Sequence, residues 1–413
     1  MAKVLWISDS LRIPYVGQSV VSRNIIARLK AKHQIIQLGF GEDEITKVKP
    51  ETKQTLPDIS IIPARRGGVN EEEKKQGVMS IIDCNDMEKV INCTHPEVVI
   101  FSHDPWLFST LPHLKAKFPN IKFIGYVTID GEPAYWKWYD TLKPYDKIVS
   151  PAFYGKKVIE DRWADLKVDV IPYGIDFNQY HYPKNGKEEL RKQIAQVTRG
   201  KLNLVNKFVA IFVGANQDRK NLGLQYEAWK RFEKNKADVT FLLFTHSAAI
   251  SQQIGVYDLG CFMQDTKNLI LIPQDQPDNM IAASIAASDV LIHPANGEGF
   301  GLTICSAMAA GTVPIVFNFS GHTDFCNEKN SYFCPYTLHV GGFHTHRAVG
   351  SFEDYTACIQ RAYDNREELK QKSLQGVEDV KKYTWETCVD MWDKAIEEVL
   401  KYDSNALRVT RLV

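Results

Sequence analysis

The chain has 413 residues, 44% of them hydrophobic, and its 50 Lys and Arg balance 50 Asp and Glu. That length suffices for two domains with separate cores, while zero net charge supplies no global basic field for nucleic acid or an anionic membrane. No apolar run approaches the roughly 18 residues of a membrane-spanning helix, and the first is too short for a signal peptide.

The eight cysteines contain no Cys-x-x-Cys pair, so a reduced, cytoplasmic protein is expected, with Cys326 and Cys334 bridging only in a disulfide-rich host.

In chain order, Val4–Ser8 reads as a first buried strand. The loop after it ends in Gly17, just before a helix with apolar Val20, Val21, Ile25, Ile26 and Leu29. Gly17 either lets the backbone approach a phosphate at that helix N-terminus or only serves a turn. Further strands follow at Ile35–Phe40, Val98–Ser102, Phe123–Thr128, Ile148–Ser150 and Val168–Pro172. The polar stretch Arg65–Lys75 breaks this pattern and reads as a surface excursion. His103 and Asp104 come directly after the third of these strand runs, and Asp130 and Glu132 directly after the fourth. They contact substrate or, alternatively, are a satisfied loop histidine and capping carboxylates, with substrate contact favoured. Tyr135, Trp136, Trp138 and Tyr139 suit sugar stacking and core packing equally.

Tyr173–Gly186 carries Gly and Pro punctuation without helical period and marks a boundary. After the charged segment Lys187–Lys207, a second strand set begins at Phe208–Gly214 and continues through Val239–Thr245, Leu269–Pro273, Val290–Pro294 and Val313–Phe317. Continuous Val/Ile/Leu/Phe runs with helices between them indicate parallel strands buried on both faces, and the pattern occurs twice. The fold class is therefore α/β, with two doubly wound, Rossmann-like domains facing a central cleft. They are expected at 1–176 and 177–389.

Gly214 is followed by Arg219 and Lys220, adjacent cations at a strand end that suit a departing diphosphate better than a merely solvated pair. Glu298-Gly299-Phe300-Gly301-Leu302-Thr303 joins a strand end to a helix start, aiming amide groups at an anion beside one fixed carboxylate. Phosphate and polyhydroxyl recognition together suit a nucleotide-sugar. Neither Gly-x-Gly-x-x-Gly nor a P-loop is present. His339, His344 and His346 read as an exposed flexible loop rather than a zinc site.

These motifs, in this order, resemble retaining glycosyltransferases of the GT-B type, family 4, across nearly the whole chain. The residues carrying the resemblance are Gly17, His103, Ile171–Asp176, Gly214 with Arg219-Lys220-Asn221, Glu298–Leu302, and Trp385-Glu386 opening the last helix. The resemblance implies that Glu298 binds donor-sugar hydroxyls beside the amides of Phe300, Gly301 and Leu302. It further implies that Gly17, Arg219 and Lys220 serve the diphosphate, that His103 lies near the reacting sugar, that Asp130 and Glu132 belong to the acceptor side, and that a helix of about 390–413 returns to the first domain. Two positions depart from the family. Ser306 stands where a second Glu commonly binds ribose, and Ala215 stands where Arg often contacts phosphate. The expected activity is hexose transfer from a UDP- or GDP-linked donor, with retention and without a metal or cofactor, to an unidentified glycan, lipid or protein acceptor. Peripheral membrane contact is left open. The rivals are a nucleotide-sugar 2-epimerase and a non-catalytic sugar-nucleotide-binding accessory protein.

Overall fold

The computed structural model describes residues 1–13, 17–40, 58–64, 84–245, 257, 259–273 and 276–401. The excursion Arg65–Lys75 and the tail from Tyr402 lie outside them. The chain divides into two compact units, one formed by Met1–Gly174 together with the segment from Trp385, the other by Ile175–Thr384.

The first unit is built on a parallel sheet of seven strands: β1 Lys3–Asp9, β2 Gln34–Phe40, β3 Ser60–Pro63, β4 Val98–His103, β5 Lys122–Val127, β6 Lys147–Ser150 and β7 Val168–Val170. Their spatial order is β3-β2-β1-β4-β5-β6-β7. Val4, Leu5, Trp6 and Ile7 are all buried, so β1 is covered on both faces, as its unbroken apolar run requires. The helix Gly17–Leu29 crosses from β1 to β2 and is tied to the sheet where Trp6 Nε1 donates to Ser22 Oγ at 3.1 Å.

The last helix, Trp385–Lys401, completes this unit. Its buried residues Trp385, Cys388, Val389, Trp392, Ala395, Ile396 and Val399 recur every three or four positions, the stripe of a helix with one buried face. Trp392 packs edge-on against Trp6 at 5.2 Å and Tyr126 at 4.9 Å. Arg28–Glu386 and Lys32–Asp390 pairs rim the contact, but such exposed pairs add little beside the buried apolar surface.

The second unit carries a parallel sheet of β8 Phe208–Val213, β9 Val239–Thr245, β10 Leu269–Pro273, β11 Val290–Ile292, β12 Val313–Phe317 and β13 Tyr332–Cys334, in the order β10-β9-β8-β11-β12-β13. The two ends of the unit lie side by side, with the Ile175 amide donating to the Tyr383 carbonyl at 2.8 Å. Within the charged segment Lys187–Lys207, the helix Lys187–Val197 is fastened by Arg191. This buried guanidinium donates to the Ala287 carbonyl, the Lys207 carbonyl and Asp289.

Three features depart from the strand pattern read in the sequence. β3 and β13 are short edge strands whose few apolar residues make no run. The histidine-rich segment is an antiparallel hairpin, β14 Thr337–Val340 with β15 His346–Val349, where a flexible loop was expected. All four residues of β14 are exposed, so it has no buried face to leave a sequence signal.

In both sheets the strand order reverses once, between β1 and β4 and between β8 and β11. Loops leaving neighbouring strand ends diverge at such a point and open a crevice, where ligands of this architecture bind.

Candidate active site

In the second unit the reversal point is lined by the loops after β8 and β11. After β8, Gly214–Gln217 leads into the turn Asp218–Lys220, and Asn221 takes a left-handed conformation (φ 52°) before the helix Leu222–Phe232. A side chain at Gly214 would press on the Phe212 ring, 2.8 Å from its nearest carbon. The Asn296 amide donates to the Arg219 carbonyl at 2.8 Å, joining the two loops.

The loop after β11 is fixed from a third direction. The Glu298 amide donates to Ser320 Oγ, and its carbonyl accepts the Gly321 amide, both at 2.8 Å. A Cβ on Gly321 would collide with the Gly299 carbonyl. Gly301 has φ +91°, the left-handed region that glycine tolerates, and it starts the helix Leu302–Ala309. A helix start leaves its first amides without intrahelical acceptors.

These constraints hold the Glu298 carboxylate, 7% exposed, at the centre of a charged cluster. Its Oε1 takes a short ion pair from Lys220 Nζ and a hydrogen bond from His293 Nε2 at 2.8 Å, while Arg219 Nη1 stands 3.5 Å from Oε2. Burial alone would raise the Glu298 pKa. Lys220 above all, then Arg219 and the His293 N–H, outweigh it and hold the carboxyl well below the ordinary range. Burial and then Lys220 push His293 down to about 4, so at neutral pH it is an uncharged imidazole donating from Nε2. His322, also buried, donates from Nε2 to the Phe317 carbonyl at 2.7 Å. Both Nδ1 atoms are buried without a hydrogen-bond partner among the described residues.

Gly214, Arg219, Lys220 and Glu298–Thr303 are thus brought to one reversal point. Phe300 contributes only backbone there, since its ring packs on Phe325 and Tyr383. Ser306 is buried on the helix behind it. His293, Ser320 and His322 were not singled out in the sequence. His293 lay within an apolar run, where a lone titratable residue just after a strand was the available signal; His322 left none.

In the first unit, His103 ends β4 and Asp9 ends β1, so their ion pair (Nε2 to Oδ2, 3.4 Å) spans that sheet's own reversal point. Burial would lower the His103 pKa, but Asp104 and Asp9 outweigh it and raise it to about 10. The Asp104 amide nitrogen lies 2.8 Å from Nδ1. Thr128 hydrogen-bonds Asp104, joining the loop after β4 to the loop that carries half-buried Asp130 and Glu132. Gly17 starts its helix with open space where a Cβ would stand. Trp138 is core and Trp136 is 59% exposed. Among the described residues no three His, Cys, Asp or Glu side chains form a metal-holding group, no helix is long and apolar enough to cross a membrane, and Cys326 and Cys334 are free thiols.

Residues 194–337, which include this cluster, match the family model described as Glycosyl transferases group 1. This segment of the second unit is similar to that family. Its sequence is similar to a UDP-Gal:alpha-D-GlcNAc-diphosphoundecaprenol alpha-1,3-galactosyltransferase of Escherichia coli, 29% identical over 177 residues, which is 42% of each protein. The chain therefore spans less than half of that curated relative. Around the matched segment the fold is shared more widely. Sucrose-phosphate synthase of Thermosynechococcus elongatus superposes with a TM-score of 0.74 at 14% identity, over 97% of this chain and 99% of that one. Anabaena HepE, in complex with UDP and glucose, gives 0.70 at 13% identity, over 96% and 100%. The two-sheet α/β architecture is the GT-B fold that the sequence motifs imply.

Proposed function

We propose that the protein is a retaining, metal-independent glycosyltransferase that moves a hexose from a UDP-linked donor to an acceptor. The observation that carries this reading is the Lys220–Glu298–His293 cluster at the reversal point of the segment that matches the group 1 family model. A relative's name includes UDP-Gal and a structural neighbour was solved with UDP and glucose, which favours uridine over guanosine.

The chemistry follows from charge. When the anomeric carbon–oxygen bond breaks, its electron pair moves to the diphosphate and the sugar gains oxocarbenium character. Lys220 and Arg219 stabilise that leaving charge, with the helix starts at Gly17 and Leu302 adding partial positive charge; such preorganised electrostatics commonly supply the largest catalytic term. The acceptor oxygen bonds the anomeric carbon from the departing face, and its proton passes to the leaving phosphate oxygen. The Glu298 carboxylate accepts hydrogen bonds from sugar hydroxyls. His103 is assigned to the reacting sugar, and Asp130 and Glu132 to the acceptor side.

The test is a thermal-shift screen of the full chain with UDP, GDP, ADP and their hexose conjugates, followed by mass spectrometry of transferred or hydrolysed sugar with and without EDTA. A ligand at 100 times its Kd stabilises by about 2.7 kcal/mol, enough to read as a shift. UDP and one UDP-hexose should stabilise, and turnover should survive EDTA. No shift with any nucleotide or nucleotide-sugar would overturn the reading.

A further inference from the structure

We propose that His293 is a positioning residue that keeps the Glu298 carboxylate ionised and aimed after Lys220 and Arg219 turn to the donor's diphosphate. The inference rests on the glycosyl-transfer reading and assigns that site a part beyond it.

Glu298 is neutralised by Lys220 on Oε1 and approached by Arg219 on Oε2. Both cations stand on the single turn Asp218–Lys220, and a diphosphate that engages this turn draws them together. The carboxylate would then be buried with neither cation, a state that favours taking up a proton and giving up its role as acceptor for sugar hydroxyls. A third side-chain partner of the carboxylate is not a cation and has no phosphate to follow: His293 Nε2, 2.8 Å from Oε1.

The imidazole is built to stay there. Its backbone amide donates to the Ile315 carbonyl at 3.0 Å and lies 3.2 Å from the Tyr355 hydroxyl, and its ring stacks on Phe212 at 5.7 Å. The charged and titratable groups facing the pair are Lys220 and Arg219 from the turn after β8, His322 from the turn after β12, and Tyr355 from the helix Phe352–Asp364. Burial above all disfavours a second proton on His293, and burial persists when Lys220 turns to the diphosphate, so it remains a neutral donor. The other ring nitrogen, Nδ1, is buried and has no hydrogen-bond partner among the described residues. Packing alone gives no reason for a half-satisfied imidazole, since an apolar ring would fill the same space.

The experiment compares wild type with His293→Phe, which keeps the ring and loses the donor, and His293→Gln, which keeps an N–H donor. Binding of UDP alone, binding of the UDP-hexose found by the screen, and the pH profile of kcat/KM are measured. His293→Phe should bind UDP as wild type does, bind or turn over the UDP-hexose about tenfold less well, and lose activity on the acid side at a pH about one unit higher, one unit being a factor of ten. His293→Gln should recover most of both. Equal loss of UDP and UDP-hexose binding, an unmoved acid limb, or no recovery in a folded His293→Gln protein would overturn the proposal.

Should His293→Phe fail to fold, histidine 15N NMR of the wild type decides. The resonance missing from His293→Gln should remain the neutral, Nε2-protonated tautomer when UDP is added, and a change of protonation would overturn the proposal. A wild type that binds no nucleotide or sugar-nucleotide defeats the glycosyl-transfer reading; one that binds them while the variants behave alike defeats only the role of His293.

Discussion

Lys220 and Glu298 are each about nine-tenths buried, so neither can be removed alone without leaving the other short of its partner. Breaking a buried pair from one side typically costs about 3–5 kcal/mol, because an uncompensated charge remains. Lys220→Ala should therefore lose both donor turnover and stability. Glu298 would keep His293 and the more distant Arg219, which places the expected loss toward the lower end of that range. Adding Glu298→Gln to Lys220→Ala removes the stranded charge and should return much of the stability while leaving turnover absent. Urea denaturation of the two variants at neutral pH checks this. Equal midpoints for Lys220→Ala and the double variant would mean that the carboxylate is not held by Lys220.

Elements set where these side chains point, and glycines show how. Gly321 opens the turn after β12, and its amide holds the Glu298 carbonyl. A methyl group there meets the Gly299 carbonyl, which is backbone and cannot step aside. Gly321→Ala should cost about 1–3 kcal/mol, as overpacking does, and weaken donor binding by shifting Glu298. Gly17→Ala is the opposite case. Among the described residues, nothing beyond its chain neighbours lies within 4 Å of the added carbon, so stability should change by no more than about 0.5 kcal/mol, while turnover falls if a phosphate is what approaches that backbone. Denaturation midpoints and steady-state turnover of both variants separate the two uses of glycine.

The sequence made the strand ends and their cations legible because fully buried parallel strands are unbroken apolar runs, and the functional loops begin where those runs stop. It could not distinguish Gly17 from Gly321, since a glycine required by a neighbour's backbone and one with open space beside it are written alike. Nor could it show His322, whose place beside the cluster depends on a turn following a different strand.

At the scale of the whole molecule, each sheet has its own core, but only one of the two units is a continuous stretch of chain. Ile175–Thr384 contains every residue of the Lys220–Glu298–His293 cluster and joins its own ends through Ile175 and Tyr383. The first unit is discontinuous. Its helix Gly17–Leu29 and the rings of Trp6 and Tyr126 are covered by a segment that begins more than two hundred residues after Gly174. This difference predicts unequal fragments. Residues 175–384 expressed alone should fold cooperatively and retain the stabilisation by UDP proposed for the full chain. Residues 1–174 should not fold without Trp385–Lys401, because a fully buried tryptophan and its helical stripe are missing from the core. In the full chain, Trp392→Ala should cost about 3–5 kcal/mol, the usual range for emptying a buried tryptophan site. Calorimetry should show that loss in the transition of the first unit, and the transition reproduced by the 175–384 fragment should stay in place. A cooperatively folded 1–174 fragment would show that the returning helix is an addition to a finished core rather than part of it.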